Sequence, residues 1–339
     1  MDKNKLEDLR QRFADKSTFE IEDAHLRDVS AALQDPSGRR KAPFSGVSTL
    51  LDAPQQDSFE ALDVALIGVP MDLGVSNRAG ARLGPRAIRD VERIGPYNYM
   101  SRLAPQMHLK FADVGDCPIH RYSLDESMQD IEDYFNMVKD AGVKPLTAGG
   151  DHSITYPIMK AIGRDEPVGM VHIDAHCDTG GEYDDCKFHH GGPFRMAVLD
   201  GVLDPERSVQ VGIRGSSEVI WEFSYVSGMT VFHIEDVMHD GMDAVIEKTL
   251  EVIGTGPVYV TVDVDGFDPA YAPGTGTPEV GGLTPREGLK LLRGLSGVNI
   301  VGGDVVEVAP QYDPTTVTAQ LGAQMMFEIL CLMAQAPKS

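Results

Sequence analysis

The chain has 339 residues, 42% of them hydrophobic and 24% charged, with a formal net charge of −22 at pH 7 and a pI near 4.7. That length can bury a large core, and the acidity excludes a nucleic-acid partner, because no basic stripe is available to neutralise phosphates. The charged start, Met1-Asp2-Lys3-Asn4-Lys5, carries no apolar segment of a secretory signal, no run approaches the roughly 18–20 apolar residues of a membrane span, and four cysteines without a CxxC pair read as reduced thiols of a cytoplasmic protein.

Residues 1–62 are polar and include Asp35-Pro36-Ser37-Gly38 and Pro43-Phe44-Ser45-Gly46, which predicts an extended N-terminal arm with one helix. From residue 63 to the end the pattern predicts a single α/β domain. Apolar, β-branched runs recur at 64–69, 109–113, 143–147, 168–173, 208–213, 230–234, 258–262 and 298–301. Amphipathic stretches at 124–140, 153–162, 217–223, 242–252 and 285–295 fall between most of them, and a last helix fits 316–333. Strands buried on both faces and alternating with helices predict a mostly parallel sheet of about eight strands in a three-layer α/β/α sandwich. A (β/α)₈ barrel fits the same order of elements. In either architecture ligands gather at the C-terminal ends of the strands.

Three strings sit at such ends: Gly149-Gly150-Asp151-His152-Ser153, Asp174-Ala175-His176-Cys177-Asp178, and Asp263-Val264-Asp265-Gly266-Phe267-Asp268-Pro269. In an extended chain residues i and i+2 share a face, so Asp174 with His176, and Asp263 with Asp265, can point together into one site. Asp178 can reach back to it, and the Gly149-Gly150 turn lets the backbone of His152 approach. A single acidic turn after a strand is most often a solvated loop, but three at consistent ends, mixing histidine and aspartate, point to metal. Asp174, Asp178, Asp263 and Asp265 bring four negative charges, which two divalent cations would balance. The mixed imidazole and carboxylate donors favour Mn²⁺, with Ni²⁺ as the alternative, and make Cys177 a poor ligand candidate.

At these residues the chain resembles the ureohydrolase family, which includes arginase, agmatinase, guanidinobutyrase and guanidinopropionase. The resemblance runs from Val64 to the C-terminal helix and includes Ala272-Pro273-Gly274-Thr275-Gly276-Thr277-Pro278-Glu279 and Asp304-Val305-Val306-Glu307-Val308-Ala309-Pro310. It implies the open three-layer sheet over the barrel. It also implies one ion on His152, Asp174, Asp178 and Asp263 and another on Asp174, His176, Asp263 and Asp265, with a hydroxide between them attacking a guanidinium carbon. Urea and an amine would leave. By the same resemblance Glu307 would pair bidentately with the guanidinium, and His190 would protonate the leaving amine.

Which guanidino compound is less legible. Asn77, Arg78, Arg82 and Tyr183 lie on segments expected at the mouth and are candidates to read a substrate tail, with an intersubunit salt bridge or a turn-holding bond as the competing readings for the arginines. The stretches 70–84, 187–195 and 281–287 look more like guanidinopropionase and guanidinobutyrase, which favours a small guanidino acid. Thr261, Gly266-Phe267 and the acidic Asp184-Asp185 depart from many relatives, and the related metformin hydrolase makes a substituted guanidine or biguanide the rival substrate, with agmatine behind it. The resemblance further implies a homo-oligomer, a trimer or hexamer, or pairing with a paralogous subunit. A non-catalytic subunit is the reading from another class, and its expected sign would be broken ligand positions.

Overall fold

Strands that are apolar on both faces require cover on both faces, and the chain provides it. The computed structural model describes residues 1–33, 42, 44–91 and 94–337, so Asp35–Gly38 and Pro43 of the expected arm lie outside the described residues. Eight parallel strands, β1 (Val64–Gly68), β2 (Phe111–Asp116), β3 (Lys144–Ala148), β4 (Val168–Ile173), β5 (Leu203–Ile213), β6 (Thr230–His233), β7 (Val258–Asp263) and β8 (Ile300–Val306), form one sheet. Its order is β2-β1-β3-β8-β7-β4-β5-β6. The outer strands β2 and β6 are unpaired with each other, so the sheet is open and the barrel is excluded.

Alternate residues feed opposite layers. Ala65, Ile67 and Met170 pack with the layer of α4 (Leu124–Asp140), α5 (Thr155–Ile162) and α6 (Pro193–Leu199). Leu66, Val171 and Ile173 pack with the layer of α3 (Gly84–Arg89), α8 (Ile234–Asp240), α9 (Met242–Ile253), α10 (Pro285–Gly294) and α11 (Val317–Gln335). The helices begin where capping chemistry allows. Ser123 accepts from the Glu126 N–H before α4, and Thr284 and Glu287 cap α10 reciprocally. A short helix, α7 (Glu222–Ser227), follows β5.

The N-terminal segment holds two helices, α1 (Lys3–Phe13) and α2 (Ala24–Ala32), not the single one expected. α1 is polar and buries no residue, so no apolar stripe announces it, and α2 buries only Val29. The main body also reaches back before residue 63. Leu50 and Ala53 are buried in the core, and the Leu50 N–H donates to Asp113 of β2 at 2.8 Å.

The expectation that no run is long and apolar enough for a membrane span needs correction for α11. Its 19 residues pass on length and composition. The helix is nevertheless a core element: 78% of its most apolar stretch is buried inside the fold. Buried Glu328 on this helix pairs with Arg293 of α10 at 2.6 Å and accepts from Asn98 Nδ2 at 2.7 Å.

Candidate metal centre and cleft

The four strands that end in the conspicuous motifs, β3, β8, β7 and β4, are consecutive in the centre of the sheet. Their C-terminal ends therefore open onto one rim. Close backbone approaches there depend on glycine. A Cβ on Gly150 would overlap the Met71 carbonyl, and one on Gly266 would stand 2.8 Å from the Asp174 nitrogen. An alanine in place of Gly266 would thus push against the central aspartate.

All six expected ligands converge. His152 Nδ1 lies 3.1 Å from Asp174 Oδ2, 2.9 Å from Asp178 Oδ2 and 3.4 Å from Asp263 Oδ2. His176 Nδ1 lies 3.4 Å from Asp174 Oδ1 and 3.2 Å from Asp265 Oδ2. Donor atoms of His152, His172, Asp174 and Asp178 lie within 4.8 Å of one another, as do those of Asp174, His176 and Asp265. Asp174 belongs to both groups. His152, Asp174, Asp263 and Asp265 are almost fully buried.

The donor set suits cations on a specific ground. His152 Nε2 is 2.9 Å from Thr261 Oγ1, which can accept a ring proton on Nε2 and so leave the Nδ1 lone pair toward the three carboxylates. Nδ1 itself is buried and makes no hydrogen bond. A lone pair facing three anionic oxygens is tolerable only with a positive charge between them. Without one, the crowding shows in the acid–base balance. Burial and the charges of Asp265 and Asp174 push Asp263 well above the usual carboxyl range, and burial and Asp174 push Asp265 up to about 6. Burial opposes a charge on His152, but Asp174, Asp178 and Asp263 outweigh it and hold the ring well above its ordinary value.

His172 is a site residue that the sequence reading passed over, although as residue i−2 of Asp174 it shares that strand face. Its two nitrogens are both engaged. Gln210 Nε2, which also donates to the Cys177 carbonyl at 2.6 Å, lies 3.0 Å from Nδ1, and Nε2 lies 2.7 Å from Asp174 Oδ2. The Gln210 amide makes Nδ1 an acceptor, so Nε2 carries the proton and donates to Asp174. In that tautomer His172 supports Asp174 through a hydrogen bond.

Glu307, just past β8, has one oxygen committed and one free. Oε1 accepts from the His152 backbone N–H and from His190 Nδ1, both at 2.9 Å, while buried Oε2 has no partner. The expected two-oxygen pairing with a guanidinium thus meets an Oε1 that already holds two donors. Glu307 (φ 63°) and Asp178 (φ 51°) both adopt the left-handed backbone that side chains rarely occupy, so the fold holds these two carboxylates under local strain. His190 Nε2 faces Ser76, 2.7 Å from its Oγ and 3.1 Å from its backbone N–H. Burial disfavours the imidazolium, yet the Glu307 charge and hydrogen bond raise His190 to about 9. The Ser76 N–H can only donate, and so favours the neutral ring.

A cleft of about 130 Å³ opens onto this cluster, lined by Ser76, His176, Asp178, His190, Gly191, Ser217, Ile220, Trp221, Asp263 and Thr277. None of Asn77, Arg78, Arg82 and Tyr183 is among them. Asn77 Nδ2 and Arg78 Nε donate to the Gly276 carbonyl, and Arg78 Nη2 donates to the Thr275 carbonyl at 2.9 Å while stacking on Tyr312. Arg82 pairs with Asp72, and Tyr183 is largely exposed beside Cys186. Both arginines thus make their polar contacts within the chain. Ser76, Ile220 and Trp221 were missed because one serine in a loop and two apolar residues after a strand carry no signal of their own.

The arginase family profile matches residues 62–332. The chain belongs to the arginase family. It is 46% identical over 297 residues to guanidinopropionase of Pseudomonas aeruginosa, covering 86% of this chain and 93% of that one. It is also 46% identical over 302 residues to mitochondrial agmatinase of Gallus gallus, covering 88% and 89%. Among solved structures, proclavaminate amidino hydrolase from Streptomyces clavuligerus superposes with a TM-score of 0.84 at 33% identity, covering 87% of this chain and 99% of that one. Members of this family depend on a binuclear metal centre, and the His/Asp cluster at the rim is of the matching kind.

Proposed function

We propose that the chain is a binuclear-metal amidinohydrolase that cleaves a C–N bond of a small guanidino compound, yielding urea and an amine. The unpaired, buried Nδ1 of His152 among carboxylate oxygens of Asp174, Asp178 and Asp263 supports this most directly. In this reading His152, Asp174, Asp178 and Asp263 hold one ion, and Asp174, His176, Asp263 and Asp265 the other. Mn²⁺ suits the donors, with Ni²⁺ as the alternative. Cations held there would supply hydroxide near neutral pH by lowering the pKa of water.

The chain's own groups do the rest. The free Oε2 of Glu307 accepts from the substrate guanidinium, a charge-assisted bond in a buried setting. Oε1 stays with His152 N and His190, which fixes the carboxylate plane. His190 holds the proton that the leaving amine needs. Trp221 and Ile220 restrict water at the mouth. Asn77 and Arg78 act on specificity by setting the position of Thr275 and Gly276, and Arg82 and Tyr183 by shaping the outer rim.

The names of the related guanidinopropionase and guanidinobutyrase favour a small guanidino acid. One observation favours a second reading. Among the described residues lining the cleft there is no lysine or arginine to receive a carboxylate, while Ile220 and Trp221 form an apolar wall. A guanidinium carrying an uncharged N-alkyl substituent, or a biguanide such as metformin, fits that lining. A urea-release screen over 3-guanidinopropionate, 4-guanidinobutyrate, agmatine, arginine, guanidine and metformin, run with Mn²⁺ and with Ni²⁺, separates these readings. Silence across the whole panel from protein holding two ions per chain would sink the function itself. We further place the protein in the cytoplasm, where its four unpaired cysteines suit a reducing milieu, as a homo-oligomer of three or six chains or paired with a paralogue.

A further inference from the structure

We propose that Ser76 passes the proton from His190 to the leaving amine, so that a Ser76–His190–Glu307 chain is the acid of the reaction. The inference rests on the reading of the cleft as a guanidino C–N hydrolase site. Two contacts run in series, Ser76 Oγ to His190 Nε2 at 2.7 Å and His190 Nδ1 to Glu307 Oε1 at 2.9 Å, and the Ser76 N–H meets the same Nε2 at 3.1 Å beside the first. The turn carrying Ser76 is pinned from both sides. Asp151 Oδ2 accepts from the Gly74 N–H, and the His190 N–H donates to the Gly74 carbonyl, each at 2.9 Å. Ser76 and His190 both line the cleft.

The chemistry follows from what each group can do. Nε2 has one lone pair, and in the neutral ring Ser76 supplies its donors. When Nε2 gains a proton, the backbone N–H cannot reverse its role, whereas the hydroxyl can rotate and accept. The proton on Nε2 therefore has one outlet among these contacts, the Ser76 oxygen. The order serine, histidine, buried carboxylate is that of a nucleophilic triad, but here the hydroxyl only transfers a proton. The oxygen of water has by then bonded to the guanidinium carbon, and as the C–N bond breaks its electron pair goes to the leaving nitrogen while an oxygen lone pair forms the urea C=O. That nitrogen takes the Ser76 hydroxyl proton, the hydroxyl takes the Nε2 proton, and His190 is left neutral with Nδ1–H on Glu307. The proton shed by the incoming water restores the imidazolium. The charges bearing on His190 are those of Glu307, Asp178 and Asp151.

Ser76→Ala and Ser76→Thr, each prepared as metal-loaded full-length protein, test the relay. Ser76→Ala is expected to lower kcat about 100-fold with KM little changed, and Ser76→Thr, which keeps a hydroxyl, to recover most of it. Histidine NMR on the same proteins should show His190 titrating lower in Ser76→Ala, because the protonated ring has lost its acceptor, and near the parent value in Ser76→Thr. An active parent with an unchanged Ser76→Ala overturns the relay and leaves the hydrolase reading standing. Equal losses in both variants, with metal content and His190 titration unmoved, also overturn it, since the serine would then act by packing alone. A parent that holds two ions yet releases urea from no guanidino compound overturns both.

Discussion

Nδ1 of His152 stands 2.9 Å from Oδ2 of Asp178, yet no hydrogen bond joins them. A buried ring nitrogen directed at three carboxylates stands where one metal donor would stand beside others. Asp174 adds a carboxylate shared with the second group around His176, and Asp263 adds one close to His152.

Asp174→Ala and Asp263→Ala should each lose both ions and lower the rate by at least about three orders of magnitude, since metal assistance supplies several kcal/mol of transition-state stabilisation. Elemental analysis alongside urea release checks this. Either variant retaining two ions and near-parent rates would show the ligands to be misassigned.

Glu307→Gln keeps the size of the side chain and an acceptor for the His152 N–H while removing the charge. Turnover should fall about 10²- to 10³-fold, the range typical for loss of one preorganised electrostatic partner, with metal content unchanged. Simultaneous loss of metal would instead identify Glu307 as a brace for His152.

The metal-stripped protein should lose stability as pH rises. In it Asp265 holds its proton up to about 6, above the ordinary 3.8, because burial and the Asp174 charge disfavour the anion. A folded-state value above the unfolded one means that this group's contribution is present below about 4 and is lost through about 6. Asp263, His152 and His176 are raised too and act in the same direction, opposed within this cluster by Asp174, whose charge the three neighbouring histidines stabilise despite its burial. Cations replace those protons, so the gain in Tm on adding Mn²⁺ should be larger at about pH 8 than at about pH 5. Thermal unfolding after chelation, at both values, settles the sign, and an equal or larger gain at the lower pH contradicts it.

Thr261→Val preserves shape but removes the partner of His152 Nε2, and His172→Phe removes the donor to Asp174. Each should weaken metal binding about 10- to 100-fold, as is usual when a ligand's supporting bond is lost. Competition with a chromogenic chelator measures it. Affinity equal to the parent's would show that packing alone orients the ligands.

Glu328→Ala tests the core position of α11. It strips acceptors from Asn98 and from Arg293, which is partly exposed and can rehydrate, so the cost should be about 1–3 kcal/mol in denaturant unfolding without effect on metal content. A change below about 0.5 kcal/mol would show the pair to be neutral.

The strands were the most legible part of the sequence, since β-branched runs buried on both faces look alike in any parallel sheet. The run at 168–173 and the helix at 124–140 match β4 and α4 end to end. Boundaries failed where polar residues continue a strand. β5 begins at Leu203 and runs through Asp204-Pro205-Glu206-Arg207, ahead of the apolar run at 208–213. β8 begins at Ile300, two residues later than the apolar run, and extends to Val306 so that Glu307 reaches the rim. The short helices α6 and α8 were missed because seven residues are too few to show a helical period.

The ligand positions were legible because each is a polar residue repeated at strand spacing after an apolar run. Their supports were not. Thr261 and His172 lie inside strands, where a lone polar side chain resembles a satisfied core residue, and Ser76 meets His190 across 114 positions of sequence. That separation is closed by the sheet order, which periodicity does not encode.

The strand order also sets a timetable for assembly. β8 lies between β3 and β7, so the last strand to be synthesised fills the middle of the sheet. Until it inserts, β3 and β7 lack a common neighbour and Glu307 is absent from beside His152. Contacts so distant in sequence form late and slowly. A nascent or truncated chain ending short of residue 307 therefore exposes two unsatisfied inner edges, and the complete cleft can exist only after nearly the whole polypeptide has left the ribosome.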